Sequence, residues 1–445
     1  MGIATLGEFK DLFRRAGVRT VYVKHLATKQ DNEKNQVVLA SEMNGMVNLF
    51  PARMALRAAS QSRKKRNSSA GRPIAEASLD FFWMDRTGAR FHAARTRLIE
   101  YFQYPEVRLS GFLDRCRWAP DAIRRDKQAA FGQRILAMGA NSAGEVVGLL
   151  LTETEDALVA DFPDLTPSGV SGVLGVLSTT IGATTAPREL LISDLRGIVA
   201  SGWLASVRNK GGKIVPFSGN QGAGYTLEAA LGVETNALKA PDIHGYEVKS
   251  YRGSKISLMT PTADCGAEGE MGFRDFMEEF GKPSTKGDGS ARFVGLFRAG
   301  KLNKTHGLVL GVAGYDPETD QFSAAPEDVR VELRHHETGR LVSGWSLEKL
   351  ANSWNSKHAA AVYVRAEARA ASKGDEYRFF QPWLMCEGTD IWRLLRAIAV
   401  GRVYYDPAHT IYADGSAKVR PQWRVGTSKF EESLRELYAR VEAVS

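Results

Sequence analysis

The stretch Gly219-Asn220-Gln221-Gly222-Ala223-Gly224-Tyr225-Thr226-Leu227-Glu228, followed after a short spacer by Asp242-Ile243-His244-Gly245-Tyr246-Glu247-Val248-Lys249-Ser250, decides how the chain is read. From Gly245 to Ser250 the composition is that of a strand, and side chains two apart on a strand share a face, so Glu247 and Lys249 project together. A turn at Gly245 returns Asp242, which follows Pro241, toward Glu247 and offers two hard oxygen ligands of the kind Mg2+ prefers. Glu228 supplies a third acid from an expected helix whose buried stripe is Leu227, Ala230 and Leu231. Three acids and a lysine suit metal-assisted attack of water on a phosphodiester. Glu-x-Lys by itself is weak, and Glu8-Phe9-Lys10 repeats it on an expected helix with no acid before it. On these residues alone a catalytic cluster and a solvated hairpin edge both stand.

Working outward, Ile256–Thr260 reads as the next strand. After it come a helix over Phe273–Phe280 and strands near Phe293–Phe297, Gly307–Val312, Val329–Leu333 and Ala361–Arg365, and then the stretch Tyr377–Met385. A helix over Thr389–Ala399 and a strand over Val403–Tyr405 follow. The chain closes on a capping-box pattern at Ser428-Lys429-Phe430-Glu431, with Phe430, Leu434, Leu437 and Val441 on one helical face. Upstream, Ile192, Leu195, Val199 and Trp203 predict one long helix over Arg188–Arg208. Between Asp161 and Pro187 charge nearly vanishes and glycine and proline accumulate, the composition of a linker. The expectation is two domains, 1–180 and 181–445, in a mixed α/β (α+β) chain.

Of the chain's net charge of +8, residues 1–150 hold 25 Lys/Arg against 14 Asp/Glu, while residues 151–445 hold 34 against 37. The first part is therefore at +11 and the second at −3, and a local basic excess is the footprint of a phosphate-backbone partner or of a basic solubilising face. The three cysteines, Cys116, Cys265 and Cys386, are odd in number and far apart, which argues against a disulfide framework or a zinc site. No apolar run reaches 18 residues and Met1–Lys10 lacks an apolar signal core, so a soluble, cytoplasmic protein with no membrane partner is expected.

The basic part opens with a helix over Thr5–Arg15 and a strand over Thr20–Lys24. A polar loop from Thr28 to Gln36 leads into the strand Val37–Leu39, and further strands lie around Ser78–Met84 and Ala89–Ala93. The run Arg63-Lys64-Lys65-Arg66 reads as a loop that either touches phosphate or is simply solvated. Late in the chain, Lys418, Arg420, Gln422 and Arg424 alternate along an extended segment. Arginine reads guanine and glutamine reads adenine, so this row is a candidate base-reading edge or a charged solvated strand. His409, after Tyr405-Asp406-Pro407, is the histidine expected near DNA.

Taken together, Gly219-Asn220, Gly224-Tyr225-Thr226-Leu227-Glu228, Asp242, Glu247-Val248-Lys249-Ser250 and Ile256–Thr260 resemble the MvaI/BcnI restriction endonucleases, relatives of the MutH nickase in the PD-(D/E)xK nuclease superfamily. The resemblance implies Glu228, Asp242, Glu247 and Lys249 as the catalytic set, with Asp242, Glu247 and the Val248 carbonyl holding Mg2+. It also implies a monomeric catalytic domain that nicks each strand of double-stranded DNA in turn at a five-base-pair site of CC-N-GG type. A looser resemblance runs through Val21-Tyr22-Val23-Lys24-His25-Leu26, Asp31 to Gln36, Leu49-Phe50-Pro51 and Arg95, and points to the B3-like β-pseudobarrel of EcoRII-type effector domains. That domain would bind a second DNA copy and stimulate cleavage, with Asp31, Lys34, Gln36, Arg95 and Arg97 as base readers. Two alternatives remain: a MutH-like strand-specific repair nickase, which would use the same four residues, and a non-catalytic DNA-binding regulator with a decayed nuclease fold, against which the intact three acids and lysine argue.

Overall fold

The computed structural model describes residues 2–27, 35–41, 43–57, 74–101, 106–141, 143–165, 173–179, 187–234, 243–323, 326–358, 360–372 and 374–445. Two sheets are built wholly from residues 20–178. One runs in the order Gly175–Ser178, Thr20–Leu26, Arg134–Ala140, Val146–Thr152, Phe81–Met84, Arg90–His92. The other runs Gln36–Ala40, Glu106–Ser110, Arg97–Tyr101, Ile74–Leu79, Ala52–Arg57. The expected strand around Ser78–Met84 is two strands, one in each sheet, with Asp80 at the break.

The sheets close on a core of Tyr22, Leu39, Ala77, Trp83, Leu98 and Leu109. The outer face of the first is covered by the helix Leu6–Arg15, which buries Phe9, Leu12 and Phe13 against Val21, Val23 and Leu149. That helix starts where the sequence predicts because Thr5 and Glu8 cap each other's backbone amides.

The remaining chain is organised on a sheet in the order Leu204–Ala205, Gly374–Glu387, Ala360–Ala371, Glu247–Tyr251, with Arg440–Val444 also paired to Gly374–Glu387. Glu247–Tyr251 runs parallel to its neighbour. One face carries the helices Pro187–Ala200 and Gly222–Ala230, whose Leu191, Leu195, Ala223 and Leu227 pack on Val248, Val362 and Val364. Phe430, Leu434 and Trp354 cover the other face, against Tyr363 and Cys386. Smaller antiparallel sheets flank this core, among them Lys255–Met259, Trp423–Gly426, Val403–Tyr405 and the ladder from Leu302 to Ser346.

Two helix expectations end differently. The helix begun at Pro187 stops at Ala200, because Gly202 takes φ +71°; Trp203 lies beyond it, under the Arg369 guanidinium at 4.4 Å. The closing helix is Phe430–Leu437 with Lys429 at its N-cap and no side-chain cap, and Val441 belongs to the strand Arg440–Val444 instead. The two halves touch where Asn352, on the helix Leu347–His358, accepts from the Met54 amide at 2.8 Å and donates to the Met54 carbonyl at 3.0 Å.

Candidate active site

Glu247 and Lys249 occupy one face of the strand Glu247–Tyr251, as their spacing predicts, and the Lys249 ammonium donates to Glu247 Oε1 at 2.8 Å. Their side chains are 5% and 17% exposed, so both charges are held largely out of water. A buried ion pair is poor value for stability alone, since desolvating two charges offsets most of their attraction.

The approach to the pair is set by local geometry. His244 and Gly245 both adopt positive φ, 51° and 82°, so the chain reverses in a two-residue turn in which the Tyr246 amide donates to the Ile243 carbonyl at 2.8 Å. Leu49 and the Tyr22 hydroxyl lie within 4.0 Å of where a Gly245 side chain would begin, so the N-terminal sheets abut the turn that leads into the site. Asp242 lies outside the described residues. Glu228 is half-buried on the helix Gly222–Ala230, whose Leu227 packs on the same sheet as Val248. That helix approaches closely because residue 222 is glycine: a Cβ there would sit 2.3 Å from the Tyr377 hydroxyl and 2.8 Å from Ser206 Oγ.

Beneath the pair runs a buried polar chain that linear spacing could not reveal, since four separate segments contribute to it. His358 Nε2 lies 2.9 Å from the Leu258 carbonyl, an acceptor only, so Nε2 carries the proton and Nδ1 accepts from the Tyr438 hydroxyl at 3.3 Å. Tyr438 in turn lies 3.0 Å from the Tyr363 hydroxyl. Tyr363 is the ladder partner of Lys249. Burial, and to a lesser degree the nearby Glu247 carboxylate, push both phenols well above their ordinary range, so they remain neutral donors. Tyr251 and Tyr363 both pack against Phe430, which supports the strand from the side opposite the two helices.

The other expected site residues fall into three groups. Gln36 and Arg97 are ladder partners of the same residue, Ser110, from opposite sides, so the sheet brings them together; Arg97 lies 3.6 Å from Glu76, and Gln36 accepts from Arg108 at 3.1 Å. Arg95 is exposed in the preceding turn, while Asp31, Lys34 and the basic run Arg63–Arg66 lie outside the described residues. In the late row, Lys418 and Arg420 are exposed. Gln422 and Arg424 are half-buried and tied together, Arg424 donating to Gln422 at 2.6 Å and pairing with Asp406 at 3.0 Å.

His409 corrects the expectation of a residue at the DNA surface, for it is 0% exposed. It sits on the strand Ala408–Ile411 with its ring turned inward against Phe273 and Phe293. Its Nδ1 accepts the Arg420 backbone amide at 2.9 Å, and Nε2 faces the Tyr405 hydroxyl at 3.1 Å and Glu268 at 3.4 Å. What it holds is the backbone of Arg420.

The family model of the MvaI/BcnI restriction endonucleases matches residues 192–433, more than half of the chain, and includes Glu228, Glu247 and Lys249. The chain belongs to the MvaI/BcnI restriction endonuclease family. No curated protein matches it in sequence. Among solved structures it is similar to restriction endonuclease MvaI in complex with cognate DNA substrate, at 18% identity and a TM-score of 0.46, covering 59% of this chain and 100% of that one. It is also similar to MvaI in the absence of DNA, at 18% identity and a TM-score of 0.34, covering 60% and 100%. As a member of the MvaI/BcnI family the chain is a type II site-specific endonuclease, and its restriction endonuclease homologues bind double-stranded DNA. Among the described residues no helix is long and apolar enough to cross a membrane.

Proposed function

We propose that this MvaI/BcnI-family chain hydrolyses DNA phosphodiesters at one centre built from Glu228, Asp242, Glu247 and Lys249. The observation that carries the reading is the buried Glu247–Lys249 pair, on one strand face and 2.8 Å apart. The donor chemistry suits a divalent metal: Glu247 brings a carboxylate oxygen and the Val248 main chain a carbonyl, the hard oxygen class that Mg2+ takes. Among the described residues no group of three His, Cys, Asp or Glu could hold a metal, and Asp242, the further ligand of this proposal, lies outside them. When bound, Mg2+ supplies Lewis-acid polarisation of the scissile phosphate and acidifies water.

The chain's own residues do the rest. Glu247 holds Lys249 in one rotamer, and the ammonium faces the phosphate oxygens as negative charge builds on them. The Tyr363–Tyr438–His358 chain gives the floor of the site a neutral, hydrogen-bonded lining. Glu228 completes the acid set from the helix side.

The target is a short CC-N-GG-like sequence, read from the row Lys418, Arg420, Gln422 and Arg424. Residues 1–180 form a B3-like unit that binds a second DNA copy through Gln36, Arg95, Arg97 and the Asp31–Lys34 loop, and residues 181–445 form the nuclease. With one centre per chain, the enzyme acts as a cytoplasmic monomer that cuts the two strands in succession. Incubating the purified chain with plasmid in Mg2+ or in EDTA, and sequencing the ends, tests this: discrete fragments in Mg2+ alone are expected. A single nicked strand as the final product would transfer the reading to a repair nickase.

A further inference from the structure

The face that carries Glu247 and Lys249 continues past them. On the same strand Tyr251 follows, and the parallel ladder sets Lys249 beside Tyr363 and Tyr251 beside Arg365. Arg365, Glu367 and Arg369 keep to that face by alternation, and the antiparallel neighbour places Phe380 opposite Arg365, Arg378 opposite Glu367 and Glu376 opposite Arg369. Beside the catalytic pair, Phe430 and Tyr438 pack against Tyr363 on this face, but beyond Tyr251 it opens to solvent: Arg365 is 62% exposed, and Arg378 is exposed as well.

The guanidiniums of Arg365 and Arg378 stand 5.8 and 5.3 Å from the centroid of one ring, Phe380. Two like charges drawn to one ring repel each other unless an anion joins them. Arg365 has only the half-exposed Glu367, at 3.3 Å, and Arg378 has no carboxylate within 4.0 Å among the described residues. Arg369 is different: Glu376 neutralises it at 2.7 Å and it covers Trp203. From strand rise and spacing, the Cα of Arg365 lies roughly 8 Å from that of Lys249, a little over two base-pair rises of duplex.

We propose that Arg365 and Arg378, braced on Phe380, clamp backbone phosphates of duplex DNA that leads away from the scissile position. The inference rests on the nuclease reading for the DNA's direction of travel. Its ligand class, the phosphodiester backbone, follows from the guanidinium pair itself, since planar guanidiniums take phosphate oxygens two at a time and the ring keeps both planes in place. The contact carries no base information, so it acts equally on every sequence.

The test is binding of a random-sequence duplex of about 30 base pairs in EDTA, followed by fluorescence anisotropy across a range of KCl, where each lost phosphate contact lowers the slope of log Kd against log salt by about 0.9. Arg365→Gln and Arg378→Gln should each lower the slope by about one and the pair by about two, whereas Arg369→Gln should leave it unchanged. Circular dichroism melts of the same proteins establish that they are folded. Unchanged slopes in folded variants overturn the clamp. Plasmid cleavage by the wild type in Mg2+ is read in parallel: slopes that fall while the wild type fails to cut sink the nuclease reading and leave the phosphate site, and cutting with unchanged slopes does the reverse.

Discussion

At the level of single residues, two buried polar groups, His409 and Glu332, each hold neighbouring groups in place. His409 positions the backbone of Arg420, so His409→Leu removes the acceptor of that amide and leaves Glu268 facing an apolar side chain. An unpaired buried group costs about 1–3 kcal/mol, so a lower Tm is expected, together with poorer discrimination between cognate and near-cognate sites in competition cleavage. Equal Tm and equal discrimination would show that the contact does not matter.

Glu332 illustrates the pH side. Burial by itself would raise its carboxyl, but hydrogen bonds from Arg334 at 2.6 Å and from Arg330 outweigh that and hold it below its ordinary value. A carboxyl depressed in the folded state stabilises above its unfolded pKa and loses that contribution as pH falls through the folded one. Glu332→Gln should therefore melt lower than wild type at neutral pH, and the gap should close as pH drops below the carboxylate range, about pH 4. A gap that persists in acid would rule out the ionic origin.

Single-residue patterns also mark what could be read from sequence. The Glu247–Lys249 pairing followed from strand period alone, because the two side chains belong to one element. His409 misled because a histidine beside a Tyr-Asp-Pro turn looks exposed, and only the packing of Phe273 and Phe293 from another segment turns it inward.

Whole elements were legible where the hydrophobic period was strong and the ends were signalled. The helices Leu6–Arg15 and Phe273–Phe280 and the strand Val403–Tyr405 lie where the pattern puts them. The helix from Pro187 was overextended because Trp203 continues its spacing, while Gly202 carries the stop signal. Strand pairing was not legible. That Tyr363 stands beside Lys249, and that Tyr438 and His358 extend the line to Leu258, depends on contacts between residues 75 to 114 positions apart.

One element prediction concerns the close approach of the helix Gly222–Ala230. In Gly222→Ala the new methyl meets the Tyr377 hydroxyl, displacing the helix that carries Glu228, and overpacking of this kind costs about 1–3 kcal/mol. A fall in both Tm and cleavage rate is expected, with part of each restored by adding Tyr377→Phe. No restoration would mean that the helix moves for another reason.

At the scale of the molecule, the N-terminal sheets and the nuclease sheet meet through the Asn352–Met54 hydrogen bonds and through Tyr22 and Leu49 beside the Gly245 turn. Asn352→Leu strands both backbone groups of Met54 at that contact, a cost of about 1–3 kcal/mol. Chemical denaturation followed by two probes should then resolve into two transitions or shift to lower denaturant; a single unshifted transition would show that the halves do not depend on this contact. The charge-poor stretch before Pro187 is what the expected two-unit division rests on, and composition gives no sign of the Asn352–Met54 contact, because Asn352 looks like any polar residue on an exposed helix.

The most direct test of the central claim is single-turnover cleavage of plasmid in Mg2+ by wild type, Glu247→Gln and Lys249→Met, with duplex binding in EDTA measured on the same preparations. Both variants should bind DNA within a few-fold of wild type and lose at least about 10²–10³ in cleavage rate, the scale of a removed transition-state contact. Variants that bind and cut like wild type would place the active site elsewhere in the chain.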